Sequence, residues 1–147
     1  MKNKASLSII FATVFIDLMG FGILIPILPT FASKELGISD FSIGLIIAIY
    51  SLMQFVFNPV LGKLSDRIGR RPLILITLLL TAVSYTIFSF ATSFLILFVS
   101  RMLAGLGGSN ISVAQAYIAD ITSKEERSRG MGLIGAAFGL GFLFGPL

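Results

Sequence analysis

Asp17 is the single charged residue between Lys4 and Lys34, in the middle of an otherwise apolar stretch. Near the midplane of a bilayer an ionised carboxylate costs on the order of 3 kcal/mol, so such a residue needs a partner or a proton. Its chemistry is either to take up and release a proton, or meet a cationic ligand, or to hydrogen-bond a neighbouring helix as a structural carboxylate. Arg101 is likewise the only charge between Arg71 and Asp120. A guanidinium stays protonated, so its available roles are to tune a nearby carboxylate or to hold water. The competing reading is a side chain that snorkels to the outer surface. Tyr50, Gln54 and Asn58 fall at i, i+4 and i+8, which places three hydrogen-bonding groups on one helix face. That face should look into a bundle, to line a cavity or to bond adjacent helices. Arg101, Gly105, Gly108, Ser112 and Gln115 recur at helical spacing and are expected to share a second face. The chain contains neither histidine nor cysteine, which excludes imidazole acid–base chemistry, thiolate metal sites and disulfides. With no Ser/His pair, no paired midplane carboxylates and no metal-ligand set, no enzyme, metal or cofactor is expected.

The elements that must position these residues follow from composition. Hydrophobic residues make up 56% and charged residues only 12% of the 147, about half the charge of a soluble domain, so lipid is the main solvent. A membrane span needs about 20 apolar residues at ~1.5 Å each. The pattern predicts an all-α membrane protein of five transmembrane helices, at approximately 7–30, 41–62, 72–91, 94–119 and 130–147. Helices three and four are expected to meet near Thr92 and Ser93. A short interfacial helix is expected between four and five, where Ser123 and Glu126 have capping-box spacing. Lys2, Lys4, Lys63, Arg67, Arg70, Arg71, Lys124, Arg127 and Arg129 all fall on one side of this arrangement, and Lys34 alone on the other. The positive-inside rule then places the N-terminus in the cytoplasm. A cleaved signal peptide would not carry Asp17 inside so long an apolar core. The net charge of +4 is spent on this asymmetry, so no nucleic-acid partner is expected.

Four motifs, in order along the chain, carry a resemblance. GKLSDRIGRRP, Gly62 to Pro72, resembles the signature G-x-L-x-D-R-x-G-R-R of the major facilitator superfamily, with Gly62, Leu64, Asp66, Arg67, Gly69, Arg70 and Arg71 matching. A plain cytoplasmic anchor would need the arginines but not the glycines or the aspartate. DLMGFGILIPILP, Asp17 to Pro29, resembles the first-helix pattern D-x-x-G-x-G-x-x-x-P-x-x-P of proton-driven drug and tetracycline exporters. RMLAGLGG, Arg101 to Gly108, resembles the fourth-helix motif R-x-x-x-G-x-G-G, with Ala104 where glutamine is frequent. Gly132, Gly141, Gly145 and Pro146 match the start of G-x8-G-x3-G-P-x-x-G-G, the fifth-helix mark of antiporters. The glycine steps at Gly135/Gly139 and Gly141/Gly145 also offer a face for close helix packing, whatever the direction of transport.

The resemblance covers essentially the whole chain and implies the N-terminal part of a twelve-helix proton-coupled drug antiporter in a bacterial cell membrane. Its substrates would be small amphiphilic molecules, exchanged for protons. By that resemblance Asp66, Arg67 and Arg70 gate the conformational change, with Asp120 and Arg127 able to join their charge network or to form an ordinary solvated turn. Arg101 would assist proton transfer at Asp17. An importer of a sugar, metabolite or osmolyte on the same fold is the alternative, as is an inert, non-transporting membrane protein. Five helices do not enclose a central pathway, so a fragment, a truncated product or one part of an assembly with a missing C-terminal half is expected.

Overall fold

The computed structural model describes residues 2–147, and side chains from Leu7 onward; the side chains of Lys2 and Lys4, used above for orientation, lie outside the described residues. All regular structure among the described residues is helical. α1 spans Lys2–Lys34, α2 Asp40–Ile68, α3 Arg70–Ser89, α4 Phe94–Gly107, α5 Asn110–Ile121 and α6 Lys124–Phe144. By length and composition four segments can cross a membrane: Leu7–Lys34, Asp40–Ile68, Arg70–Ser89 and Phe94–Ile121, the last uniting α4 and α5. α6 begins with the charged KEERSR segment, and its apolar part is correspondingly short.

The bundle turns many large apolar side chains outward. Phe55 is 79% exposed and Leu75 67%, as expected where hydrocarbon rather than water is the solvent. Inside, α1 packs chiefly on α6, and the α4–α5 segment lies between α2 and α3. Ile10, Val14 and Leu18 of α1 close one cluster with Ala114, Ile118, Ile134 and Ala137. Leu28, Ala32, Ile43, Ile46 and Leu97 close a second toward the other end.

Three boundaries differ from the sequence expectation, each for a local reason. The signature segment is not a loop: α2 continues through Asp66 to Ile68, and Gly69 alone connects it to α3. Gly69 holds φ +100, a conformation that costs a residue with a Cβ but not glycine. No separate interfacial helix precedes the fifth: the Ser123 hydroxyl accepts from the Glu126 N–H at 3.3 Å, and the helix it starts runs unbroken into the apolar segment. The fourth helix is interrupted at Gly108 and Ser109, where the Ser109 N–H bonds to Leu106 O instead of following the i−4 ladder.

Candidate functional site

Asp17 is 7% exposed, on the face of α1 that looks into the bundle, and its carboxylate faces Thr81 of α3 and Asn110 of α5. Thr81 Oγ1 and the amide atoms of Asn110 are buried with no other hydrogen-bond partner among the described residues, so the Asp17 carboxyl is the polar group they face. Gly107 permits the approach of α4 to α3: a Cβ there would lie 2.9 Å from Thr77 O and would collide with the Thr81 hydroxyl.

Arg101 projects from α4 into an aromatic cage. Its guanidinium carbon lies 5.5 Å from the Tyr50 ring centroid, 5.6 Å from that of Tyr85 and 5.8 Å from that of Phe88. Only 2% of the residue is exposed, and its Nε and Nη2 have no partner. The snorkelling alternative is therefore overturned: rings from α2 and α3 hold the cation inside through their negative faces. Gly20 leaves room for Tyr85, whose ring would lie 2.8 Å from a Cβ at that position. Phe21 of α1 stacks on Tyr50 at 4.9 Å and completes the wall of a cavity of about 140 Å³ that Arg101, Tyr50, Leu24 and Leu28 also line.

The α2 stripe looks inward over its whole length. Gln54 Nε2 donates to Tyr50 Oη at 3.0 Å and to Gly108 O, at the helix interruption, at 3.1 Å, while Gly105 O, which the Ser109 N–H leaves, accepts from the Ser109 hydroxyl at 3.3 Å. One turn on, the Ser112 hydroxyl donates to the main-chain oxygen of Asn58 at 3.2 Å, while Asn58 Oδ1 is buried and unpartnered. Gln115 does not join this group. It is exposed, because the turn at Ser109 breaks the helical phase by which it was aligned with Arg101.

A second polar group forms at the Gly69 end of the bundle. Arg70 Nη2 meets Asp66 at 2.5 Å and its Nε donates to Asp120 at 2.8 Å, while Nη1 donates to Gly62 O at 3.3 Å and to the Ser65 hydroxyl. One guanidinium thus ties α2, α3 and α5 together. Arg71 donates to Tyr117 Oη at 2.9 Å. Arg67 is exposed, and Arg127 turns to Ala119 O at 3.1 Å instead of reaching the Asp66 network.

The glycines of α6 divide into two sets. A Cβ on Gly141 would lie 2.8 Å from Leu18, and one on Gly145 2.8 Å from Gly22, so these two set how closely α6 crosses α1, with Pro146 just beyond the helix end. Gly132, Gly135 and Gly139 meet nothing within 4 Å among the described residues, so the expected packing step at Gly135/Gly139 is not used.

The Major Facilitator Superfamily family model matches residues 10–147. The chain belongs to the major facilitator superfamily. It is 44% identical over 151 aligned residues to the tetracycline resistance protein, class C, of Escherichia coli, covering 100% of this chain and 38% of that protein. It is 35% identical to multidrug resistance protein 2 of Bacillus subtilis (strain 168), covering 99% of this chain and 36% of the relative. The crystal structure of the human organic anion transporter MFSD10 (TETRAN) superposes with a TM-score of 0.84 at 30% identity, covering 99% of this chain and 41% of that one. The chain therefore spans a little over a third of the length of the curated relatives it matches. Tyr85 and Phe88 of the aromatic cage, Thr81 and Asn110 are not marked by any of the sequence motifs. Thr77, Thr81 and Ser84 do recur at i, i+4 and i+7, a polar stripe on α3 that marks an inward face.

Proposed function

We propose that this chain forms the N-terminal membrane part of a bacterial proton-coupled exporter of small amphiphilic molecules, with its N-terminus in the cytoplasm. The observation that carries the reading is Asp17: a carboxylate buried inside the bundle, facing Thr81 and Asn110, on the same interior as a caged cation at Arg101. A carboxyl so placed is costly to keep ionised, so taking up or losing a proton would bias a two-state equilibrium. Arg101 supplies a fixed positive charge on the same interior and would assist proton transfer at Asp17. Tyr50, Gln54 and the Phe21 ring form the wall against which an apolar, ring-bearing substrate would slide. Arg70, holding Asp66 and Asp120 at once, latches α2, α3 and α5 at the cytoplasmic end and must let go for one half of the transporter to rock against the other.

The likeness to tetracycline and multidrug resistance proteins, together with Gly141 and Gly145 at the α1 crossing, supports export over import. In everted membrane vesicles from cells expressing the gene that encodes this chain, an imposed acid interior is expected to drive uptake of a fluorescent amphiphilic cation. Asp17→Asn should abolish the dependence on the proton gradient. Gradient-driven uptake that survives this substitution would overturn the reading.

A further inference from the structure

The cavity of about 140 Å³ beside Arg101 is bounded by α1, α2 and α4. Leu24 and Leu28 are buried at its back, and Ile25 and Ile47, each about half exposed, stand at its mouth. Tyr50 and Arg101 are the polar residues on its wall, and no acidic side chain lines it. An apolar cavity of about 150 Å³ is enough to hold one benzene ring. The size therefore suits a single aromatic ring with a small substituent, one end of a larger molecule and not the whole of it.

Arg101 brings to this wall a cation that folding has already stripped of water. The residue is 2% exposed, and among the described residues no carboxylate pairs with it: Asp17 faces Thr81 and Asn110 instead. The three rings around the guanidinium offer π faces rather than acceptors, and Tyr85 is placed to share a hydrogen bond with the group. Nε and Nη2 find no partner among the described residues. These two nitrogens bound one edge of the guanidinium, and their N–H bonds run parallel at the spacing of the two oxygens of a carboxylate. An anion arriving there gains the attraction of the cation without having to dehydrate it, because burial in the protein has already done so.

We propose that this cavity is a substrate subsite for an aryl carboxylate group, with the ring against Phe21, Leu24 and Tyr50 and the two carboxylate oxygens on Arg101 Nε and Nη2. The inference deepens the exporter reading and rests on it for treating the bound molecule as cargo; binding itself needs only the cavity and Arg101. Three kinds of molecule are rejected for different reasons. A small carboxylate without a ring leaves the apolar wall uncovered. A ring without an acid leaves two buried N–H groups unmatched, which a site built to hydrogen-bond its ligand discriminates against strongly. A ring that carries a cation is repelled by the guanidinium.

The test is fluorine NMR of 4-fluorobenzoate titrated into the protein in lipid nanodiscs at pH 7.5, where the acid is ionised. Saturable broadening of the fluorine line is expected, and benzoate should displace the probe at least about tenfold more effectively than acetate, benzamide or benzyltrimethylammonium. Arg101→Met should weaken binding by at least about tenfold, with Arg101→Lys in between because it keeps the charge and loses the fork. Ile47→Phe crowds the mouth without touching the guanidinium and should weaken binding as well. Broadening that is equal in the unmodified protein, Arg101→Met and Ile47→Phe, with helix content intact by circular dichroism, would mean that the probe only partitions into lipid and overturns the proposal. Displacement by benzyltrimethylammonium as effective as by benzoate overturns it too, since the cavity would then select the ring and not the charge. Either result leaves the exporter reading standing if gradient-driven uptake still depends on Asp17. Saturable, Arg101-dependent binding alongside uptake indifferent to Asp17→Asn would instead keep the anion site and remove the exporter reading.

Discussion

Arg70 and Asp120 stand 50 residues apart in sequence and meet at 2.8 Å, while the same guanidinium holds Asp66 across the Gly69 link. The carboxylates are more than half exposed, and exposed pairs are worth only about 0–1 kcal/mol. Their value is therefore in which conformation they favour rather than in overall stability. Asp120→Asn is expected to leave the thermal midpoint nearly unchanged. It should raise the reactivity of a cysteine placed at Ser65, which is 1% exposed and under the Arg70 side chain. Unaltered labelling of Ser65→Cys in the Asp120→Asn background would show that the pair does not latch this end.

The crossing of α1 and α6 is set by backbone contact. A Cβ at Gly145 would lie 2.8 Å from both the Cα and the carbonyl carbon of Gly22, and backbone atoms cannot step aside as a side chain can. Gly145→Val should therefore cost roughly 1–3 kcal/mol or prevent stable insertion, as overpacking does in well-packed interiors. Gly135→Ala meets nothing within 4 Å and should be neutral or slightly stabilising, since alanine is favoured over glycine in a helix by ~1 kcal/mol. Thermal unfolding in detergent, read on the two variants side by side, decides whether the crossing or the glycine content matters.

Ser123 starts α6 by accepting from the Glu126 N–H, with Glu125 and Glu126 in the first turn. The Glu125 carboxyl is held below its ordinary value by a backbone N–H and by the Ser123 hydroxyl. Ser123→Ala removes the cap and is expected to destabilise by about 0.5–2 kcal/mol. Amide hydrogen exchange should show the loss locally, at residues 124–127 and not at the Gly141 crossing. Loss spread evenly along α6 would mean that the cap is not what sets the helix start.

The charge bands and apolar lengths of the sequence were enough for the helical membrane class, and the motif matches for the superfamily. Asp17 was legible as a buried charge because one carboxylate in so long an apolar segment has few alternatives. Its neighbours were not, since the rotation of α3 and α5 about their axes depends on contacts between helices that no periodicity within one helix reveals. The misplacement of Gln115 has the same root: a 3.6-residue repeat extended from Arg101 fails once the Ser109 N–H takes Leu106 O. Gly69 illustrates the converse. Its glycine was noted as part of a signature, but that it serves as the entire connection between α2 and α3 follows from its φ of +100, which sequence spacing does not contain.

Arg101 separates stability from function most sharply. Its charge is almost fully buried, with two guanidinium nitrogens lacking partners and three rings around it at 5.5 to 5.8 Å. Burying a cation without a hydrogen-bonded counter-charge is costly, and cation–π attraction of about 2 kcal/mol when desolvated offsets only part of that. Arg101→Met keeps the length and fills the cage with an apolar chain, so the thermal midpoint should hold steady or rise. On the proposal that Arg101 assists proton transfer at Asp17, proton-driven flux should fall by at least about tenfold. Arg101→Lys keeps the charge and the ring contacts but not the planar fork, and should retain more flux than the methionine variant. A methionine variant that is both less stable and fully active would mean that Arg101 braces the bundle and takes no part in transport.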